Sequence, residues 1–181
     1  MRNDARHNRK QILAAAESVF GEHGATGSTE EVARRAGVGI ATVFRHFPTK
    51  SALLEATLLA HFAELRRQAN ESADTGDPFE AVCALVRVMV ETGATKLALA
   101  TLLDADGGIP ASALTASEEL RAVVDTVLSR ARAAGVVRAS VSVDEIYLLI
   151  RALAQASASQ PTDTVTMSRA IDIILAGIQP T

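Results

Sequence analysis

Arg45 and Thr42, with His46 and Lys50 close behind, are the side chains of this sequence whose types and spacing suit work on a partner molecule. The chemistry they suit is hydrogen bonding to base edges and phosphates rather than bond making. An arginine fork matches the O6 and N7 acceptors of guanine, and a threonine or a small apolar group can meet a thymine methyl. A histidine or lysine beside them can hold a phosphate. Thr42 and His46 lie four residues apart, as do Ala41 and Arg45, so on a helix each pair shares one side.

A helix must present these groups, and Ser28–Lys50, STEEVARRAGVGIATVFRHFPTK, reads as two short helices around a glycine turn. Ser28 and Glu31 have the S-x-x-E form of a capping box, so a helix should begin there. Val32, Ala33 and Ala36 give it one apolar stripe. Gly37 supplies the C-cap, and Val38-Gly39 completes a turn too short for anything but a sharp angle between helices. Ile40–Phe47 forms the second helix, with Val43 and Phe47 facing inward. Pro48 stops it, because the residue before a proline avoids the helical region. The unit is a helix-turn-helix, whose second helix enters a major groove.

That geometry turns Ile40, Ala41, Thr42, Phe44, Arg45 and His46 outward. Arg45 can fork onto guanine, Thr42, Ile40 and Ala41 can meet thymine methyls, and His46 is placed for a phosphate. Thr49 caps the next helix and puts Lys50 in its first turn, where a cation is unfavourable by roughly 0.3–1 kcal/mol. An arriving phosphate would reverse that penalty, held by the ammonium and by free N–H groups. Ser28 and Thr29 offer hydroxyls and amides for the same purpose. With Gly39 of the turn, the expected DNA-contact set is Ser28, Thr29, Gly39, Ile40, Ala41, Thr42, Phe44, Arg45, His46 and Lys50. Arg34 and Arg35 lie at a helix C-terminus, which suits cations in any case, and stay outside it.

The charge balance agrees once the chain is divided. Residues 1–70 carry 10 Lys and Arg against 7 Asp and Glu, and residues 71–181 carry 8 against 14, so a head of +3 sits on a body of −6. Such a chain suits DNA contact by one end. The 48% hydrophobic content and the Ala, Leu and Arg usage point to an all-α protein. Residues 1–5 read as a polar arm, followed by a helix from about Ala5 to Glu22 in which Ile12, Ala16, Val19 and Phe20 recur at helical spacing. Arg2, Arg6, Arg9 and Lys10 crowd its start, equally consistent with a solvated face and with phosphate contact.

The helix that Thr49 caps carries Leu54, Leu58, Phe62 and Leu65 as an apolar stripe to about Ala73. Ser72–Asp77 then marks the clearest boundary. The expected division is a DNA-binding domain at 1–50, a connecting helix over about 50–73, and a helical ligand-binding and dimerisation domain at 74–181. In the body, Asp77-Pro78-Phe79-Glu80 begins a helix, apolar on most sides, that ends before Gly93. A second runs to about Leu103, and Asp104–Pro110 is a loop. Further helices start at Thr115, at Ser142 with Glu145, and at about Thr164 after a Gln160-Pro161 turn.

The run ILAAAESVFGEHGATGSTEEVARRAGVGIATVFRHFPTKSALLEA resembles the N-terminal domain of the TetR family of bacterial transcriptional regulators. The likeness covers about residues 8–60, and its V-x-x-x-T-x-(aromatic)-x-H-F-x-x-K pattern is specific. The resemblance implies a homodimer, a palindromic operator in double-stranded DNA, and repression relieved by a small molecule in the C-terminal domain. It places Thr42, Phe44, His46 and Lys50 at the family's common DNA-contact positions. Phe44 departs from the usual tyrosine and lacks that ring's hydroxyl. The resemblance also implies that the last two long helices pair with their mates as a four-helix bundle, with Ala152, Ala156, Met167, Ile171, Ile174 and Ile178 as the expected interface.

For the effector, the expected contacts are Arg87 and Arg151, charges inside apolar runs, with Tyr147 and Asp104. Arg87 can line a pocket, pair with Glu91 or reach solvent. Cys83 is the single cysteine, so no intrachain disulfide forms, and a small buried hydrophobe is its expected role. Neither a nucleophile–base set nor H-x-x-x-H or C-x-x-C spacing occurs, so neither enzymatic activity, a metal nor a cofactor is expected. The chain starts polar and holds no apolar run near the ~20 residues of a membrane helix, so a cytoplasmic protein without membrane contact is expected. The competing reading is a helical small-molecule-binding or protein-interaction module with a vestigial DNA-binding head.

Overall fold

The computed structural model describes residues 2–73, 76–160 and 162–180, and every α-helix expected from the pattern is there. In chain order these are α1 (Arg2–His23), α2 (Thr29–Arg35), α3 (Ile40–His46), α4 (Lys50–Ala73), α5 (Pro78–Glu91), α6 (Gly93–Ala105), α7 (Ala111–Ala133), α8 (Val143–Ser159) and α9 (Thr164–Ile178). A single 3-10 turn, Gly24–Thr26, follows α1. The protein is all-α, with no strand among the described residues. Pro161 and the Asp74-Thr75 pair, which fall in two expected turns, lie outside the described residues.

Two compact units result. One holds the chain up to His61 together with Thr95–Thr115, and the other holds Phe62–Ala94 and the chain from Ala116 onward. This differs from the linear division at residues 50 and 74, because α4 changes neighbours partway along while remaining one helix. Its first turns belong with α1: buried His61 lies with Nδ1 2.8 Å from the Glu17 carboxylate.

Within the first unit, Ile12, Ala16, Val19 and Phe20 of α1, Val32 of α2, Val43 of α3 and Leu53 of α4 are fully buried. The stripe read from the sequence therefore becomes the floor on which α2 and α3 rest. The Ser28 hydroxyl accepts from the Glu31 amide at 3.1 Å, but Glu31 does not complete the box, because its carboxylate is drawn to Arg34. Gly37, at φ +66°, closes α2 as a Schellman motif, in which Val38 N–H reaches the Ala33 carbonyl and Gly37 N–H that of Arg34. A residue with a Cβ would be strained at that φ.

Two helix starts differ from expectation. The first helix begins at Arg2, so the expected arm at 1–5 is helical from that residue. Helix α7 begins at Ala111 rather than Thr115, since the Pro110 carbonyl already accepts from Ala113 and Leu114 amides. The Ala-rich turn that follows has enough helix propensity to form without a side-chain cap.

The second unit is organised on α5, which buries Ala81, Val82, Cys83, Leu85, Val86, Met89 and Val90 and packs against α8 and α9. Asp77 caps it, accepting from the Phe79 and Glu80 amides, with Pro78 in the first turn. Ser142 and Glu145 form a complete capping box on α8, and Asp163 accepts from the Thr166 amide to start α9. Gly93 is required where α6 leaves α5: a Cβ there would stand 2.5 Å from that of Ala154 on α8.

Candidate nucleic-acid interface

Helix α3 is seven residues long and is held by its two inward side chains, Val43 and Phe47, both buried. Phe47 is its C-cap rather than its last helical residue. Gly39 is the N-cap, and its carbonyl accepts from the Thr42 amide at 2.8 Å, which fixes the first turn without a side chain. With the inner side anchored, Ile40, Ala41, Phe44 and Arg45 are exposed, while Thr42 and His46 are half-buried at the flanks. Two large apolar side chains, Ile40 and the 43% exposed Phe44, thus stand in water one turn apart. Exposure of such groups on a short helix marks a surface that meets something else.

The polar groups separate by partner. The Arg45 guanidinium has only a long contact to Thr42 Oγ1, at 3.4 Å, and its remaining donors face outward. Arg34 bonds to Glu31, and Arg35 bonds to Glu22 and to Ser18 on α1, which bolts α2 to α1. The Arg35 guanidinium, helped by the Ser18 hydroxyl, holds the Glu22 carboxyl down at about 2. Both arginines, which the expected contact set left out, are thus engaged by carboxylates within the unit.

Lys50 has a role that its charge alone did not reveal. Its ammonium donates to the Gly27 carbonyl at 3.0 Å and lies 5.3 Å from the centre of the Phe20 ring. These contacts offset the unfavourable position in the first turn of α4 without any anion. An ammonium has three donors, so a phosphate can still be held, but the position no longer requires one. Thr49 caps α4 as expected, accepting from the Ala52 amide at 3.0 Å. Thr29 is buried, which leaves its backbone N–H rather than its hydroxyl for any contact, and the Ser28 hydroxyl is already engaged as the cap of α2. Of the ten expected contacts, the structure brings Gly39 through His46 onto one helix and holds Ser28, Thr29 and Lys50 at helix starts in the same unit.

The four expected effector contacts differ in their surroundings. Arg87 meets Asp172 of α9 in an ion pair. Arg151 and Asp104 are exposed, and Asp104 belongs to the first unit. Tyr147 alone points inward: its hydroxyl is buried without a hydrogen-bond partner, and burial pushes its phenol up to about 12. The Arg121 guanidinium lies over its ring at 5.4 Å and is held there by Asp144.

The residues of the expected interface on the last two helices differ in exposure. Ile171 and Ile178 are buried in the core of their own unit, Met167 and Ile174 are half-buried, and Ala152 and Ala156 are exposed. The exposed apolar groups of these helices are instead Leu148 at 58%, Val165 at 65% and Ile173 at 72%, with Leu149 beside them. A stripe at i, i+4, i+7 names the buried side of a helix, and α9 uses that side for its own core. Leu148 and Ile173 are detectable only as large apolar residues left over once that stripe has been assigned.

Residues 12–57 match the family described as bacterial regulatory proteins, tetR family, and residues 77–180 match the one described as transcriptional regulator SbtR-like, C-terminal domain. Among solved structures, a TetR transcriptional regulator from Streptomyces coelicolor is 30% identical with a TM-score of 0.84, over 96% of this chain and 99% of that one. A TetR transcription regulatory protein from Mycobacterium vanbaalenii is 31% identical with a TM-score of 0.81, over 99% of both. An HTH-type transcriptional regulator of Staphylococcus aureus (strain USA300) is 41% identical over 54 residues, 29% of this chain and 29% of that protein. The match thus spans under a third of the curated relative's length.

Proposed function

The chain belongs to the TetR family of DNA-binding transcriptional regulators, and on that premise we propose that it is a homodimeric repressor that leaves a palindromic operator when a small molecule binds its C-terminal part. The observation that carries the DNA half of this reading is the exposed face of α3. Arg45 has unused donors, and Ile40, Ala41 and Phe44 stand beside it on a helix pinned by Val43 and Phe47. In the groove, Arg45 takes guanine, Thr42 and the apolar side chains take thymine methyls, and His46 with Lys50 takes phosphates. The Thr29 amide and Gly39, which allows close backbone approach, complete the contact.

A two-fold operator needs a two-fold protein. Leu148, Val165 and Ile173 support α8 and α9 as the pairing surface, with Ala152 and Ala156 letting the helices approach. For the effector, the buried and unpartnered Tyr147 hydroxyl is the anchor in the second unit, since leaving a buried donor unsatisfied costs about 1–3 kcal/mol that a ligand would recover. Helix α4 runs unbroken from Lys50 to Ala73, so a tilt begun by a ligand reaches the reader's edge along one element.

The test is selection of bound duplexes from a random-sequence pool, followed by footprinting. The expected product is an inverted repeat whose half-sites are spaced by a whole number of helical turns. Enrichment of no sequence at moderate salt would rule the repressor reading out.

A further inference from the structure

We infer that Arg6, Arg9 and Lys10 on α1 form a phosphate-binding face that continues the reader, so that the DNA-contact surface extends from α3 along the first half of α1. The inference rests on the reading of α3 as a DNA reader. The first unit sorts its cations sharply. Arg34, Arg35 and Lys50 are engaged by Glu31, Glu22 and the Gly27 carbonyl, and Lys96 has a partner of its own. Among the described residues, no carboxylate pairs with Arg6, Arg9, Lys10 or Arg45. Apart from Lys50, which a carbonyl and a ring hold, and Lys96, the described Lys and Arg side chains of this unit without a carboxylate partner lie on two helices, the first half of α1 and the reader itself.

Two observations join those helices into one surface. Arg9 places its guanidinium 5.2 Å from the centre of the Phe47 ring, and Phe47 is the C-cap of α3, next to His46. Arg6, Arg9 and Lys10 stand at i, i+3 and i+4, which puts them on one side of α1, and all three are exposed. Asp4 lines the same surface cleft as Arg6 and Lys10, so this end of α1 carries one carboxylate beside three cations. Three exposed cations on one side of a helix outside the reader fit a row of phosphates, contacts that carry no sequence information.

The experiment measures binding to a mixed-sequence DNA duplex, long enough for one dimer, by fluorescence anisotropy over a series of salt concentrations. Each phosphate contact contributes about 0.9 to the slope of log affinity against log salt, so the variant Arg6→Gln/Arg9→Gln/Lys10→Gln should be shallower by roughly 2.7 per protomer. Its preference for an operator over the mixed duplex should stay unchanged. Because Arg9 touches Phe47, the variant Arg6→Gln/Lys10→Gln, which leaves that contact intact, repeats the test with an expected loss of roughly 1.8 per protomer. A slope equal to wild type in both variants overturns the inference, even if affinity falls, since a shifted reader weakens binding without removing phosphate contacts. Wild-type protein that shows no salt-dependent binding at all fails earlier, at the reading of α3 itself, and takes this inference with it.

Discussion

The two units differ in how their unpaired cations are arranged. In the first, Arg6, Arg9, Lys10 and Arg45 gather on α1 and α3 with no carboxylate partner among the described residues, whereas in the second Arg66, Arg67, Arg87, Arg121 and Arg132 each face a carboxylate and Arg130, Arg151 and Arg169, which do not, are spread over α7, α8 and α9. Exposed ion pairs of this kind add little to stability, so their main effect is on the field around the molecule. They cancel positive charge within the second unit, whereas the unpaired cations of α1 and α3 keep theirs. Apolar exposure differs in the same sense. On α3 it is a pair of side chains beside an arginine, sized for base edges, whereas on α8 and α9 it is aliphatic and spread over two helices, sized for a protein. On the proposed reading, the face of α3 and the face shared by α8 and α9 are thus told apart by which residues go unpaired.

That contrast breaks most sharply at the aliphatic surface. Leu148→Asp combined with Ile173→Asp should leave the fold intact, because both side chains are mostly in solvent, and should convert the dimer to monomer in analytical ultracentrifugation. Losing the second head removes the gain from joined binding modules, so operator affinity should fall by roughly 10²–10⁴-fold. A variant that still sediments as a dimer would move the interface elsewhere. The corresponding change at the DNA surface is smaller. Arg45→Ala should cost about 1–3 kcal/mol of operator affinity and relax selectivity at one base pair of each half-site. Equal loss on every sequence would reduce Arg45 to a phosphate contact.

Much of this was legible in the chain. Ser28, Thr49, Asp77 and Ser142 all cap the helices expected of them, because a short polar side chain before an apolar run has few other uses. The turn at Gly37 and the inward pair Val43 and Phe47 followed from spacing alone, and with them the outward face of α3. What escaped depends on partners distant in sequence. Nothing near Lys50 announces the Gly27 carbonyl, and nothing near Arg87 announces Asp172 on α9. Of the expected interface residues Ala152, Ala156, Met167, Ile171, Ile174 and Ile178, the burial of Ile171 and Ile178 within their own unit escaped the sequence because periodicity finds the best apolar stripe without saying what covers it. The grouping of Thr95–Thr115 with the first unit escaped the sequence for a related reason: chain breaks are visible in composition, but a return to an earlier neighbour is not.

A smaller effect separates two glycines of the second unit. Gly93→Ala would place a Cβ 2.5 Å from that of Ala154, and overpacking of this kind costs typically about 1–3 kcal/mol. Gly177, in the last turns of α9, has open space where its Cβ would be, so Gly177→Ala should instead stabilise by about 0.4–1 kcal/mol. Denaturant titrations of the two variants should therefore shift in opposite directions. A Gly93→Ala protein as stable as wild type would mean that α6 and α8 yield to one another freely.

The smallest expected effect concerns the bolt between α1 and α2. Glu22 is held at about 2, below its ordinary 4.5, chiefly by its hydrogen bond from Arg35 and next by that from Ser18. A carboxyl with a depressed folded value stabilises the fold above its unfolded value, and that contribution fades as pH falls from about 4.5 through about 2. The carboxyl is exposed, so solvent and salt screen it and the effect should be modest. Glu22→Gln should lie below wild type in thermal stability at neutral pH, and the gap should close on acidification and narrow with added salt. Glu64 in the second unit, held at about 2 by Arg67 and then Gln68, offers the matching variant Glu64→Gln. If the units differ as their surfaces do, only the Glu22 variant should also weaken DNA binding at neutral pH, because only that carboxylate fastens an element of the reader. Equal losses of DNA binding in both variants would show that Arg35 and Glu22 contribute to the overall fold and not to the position of α2.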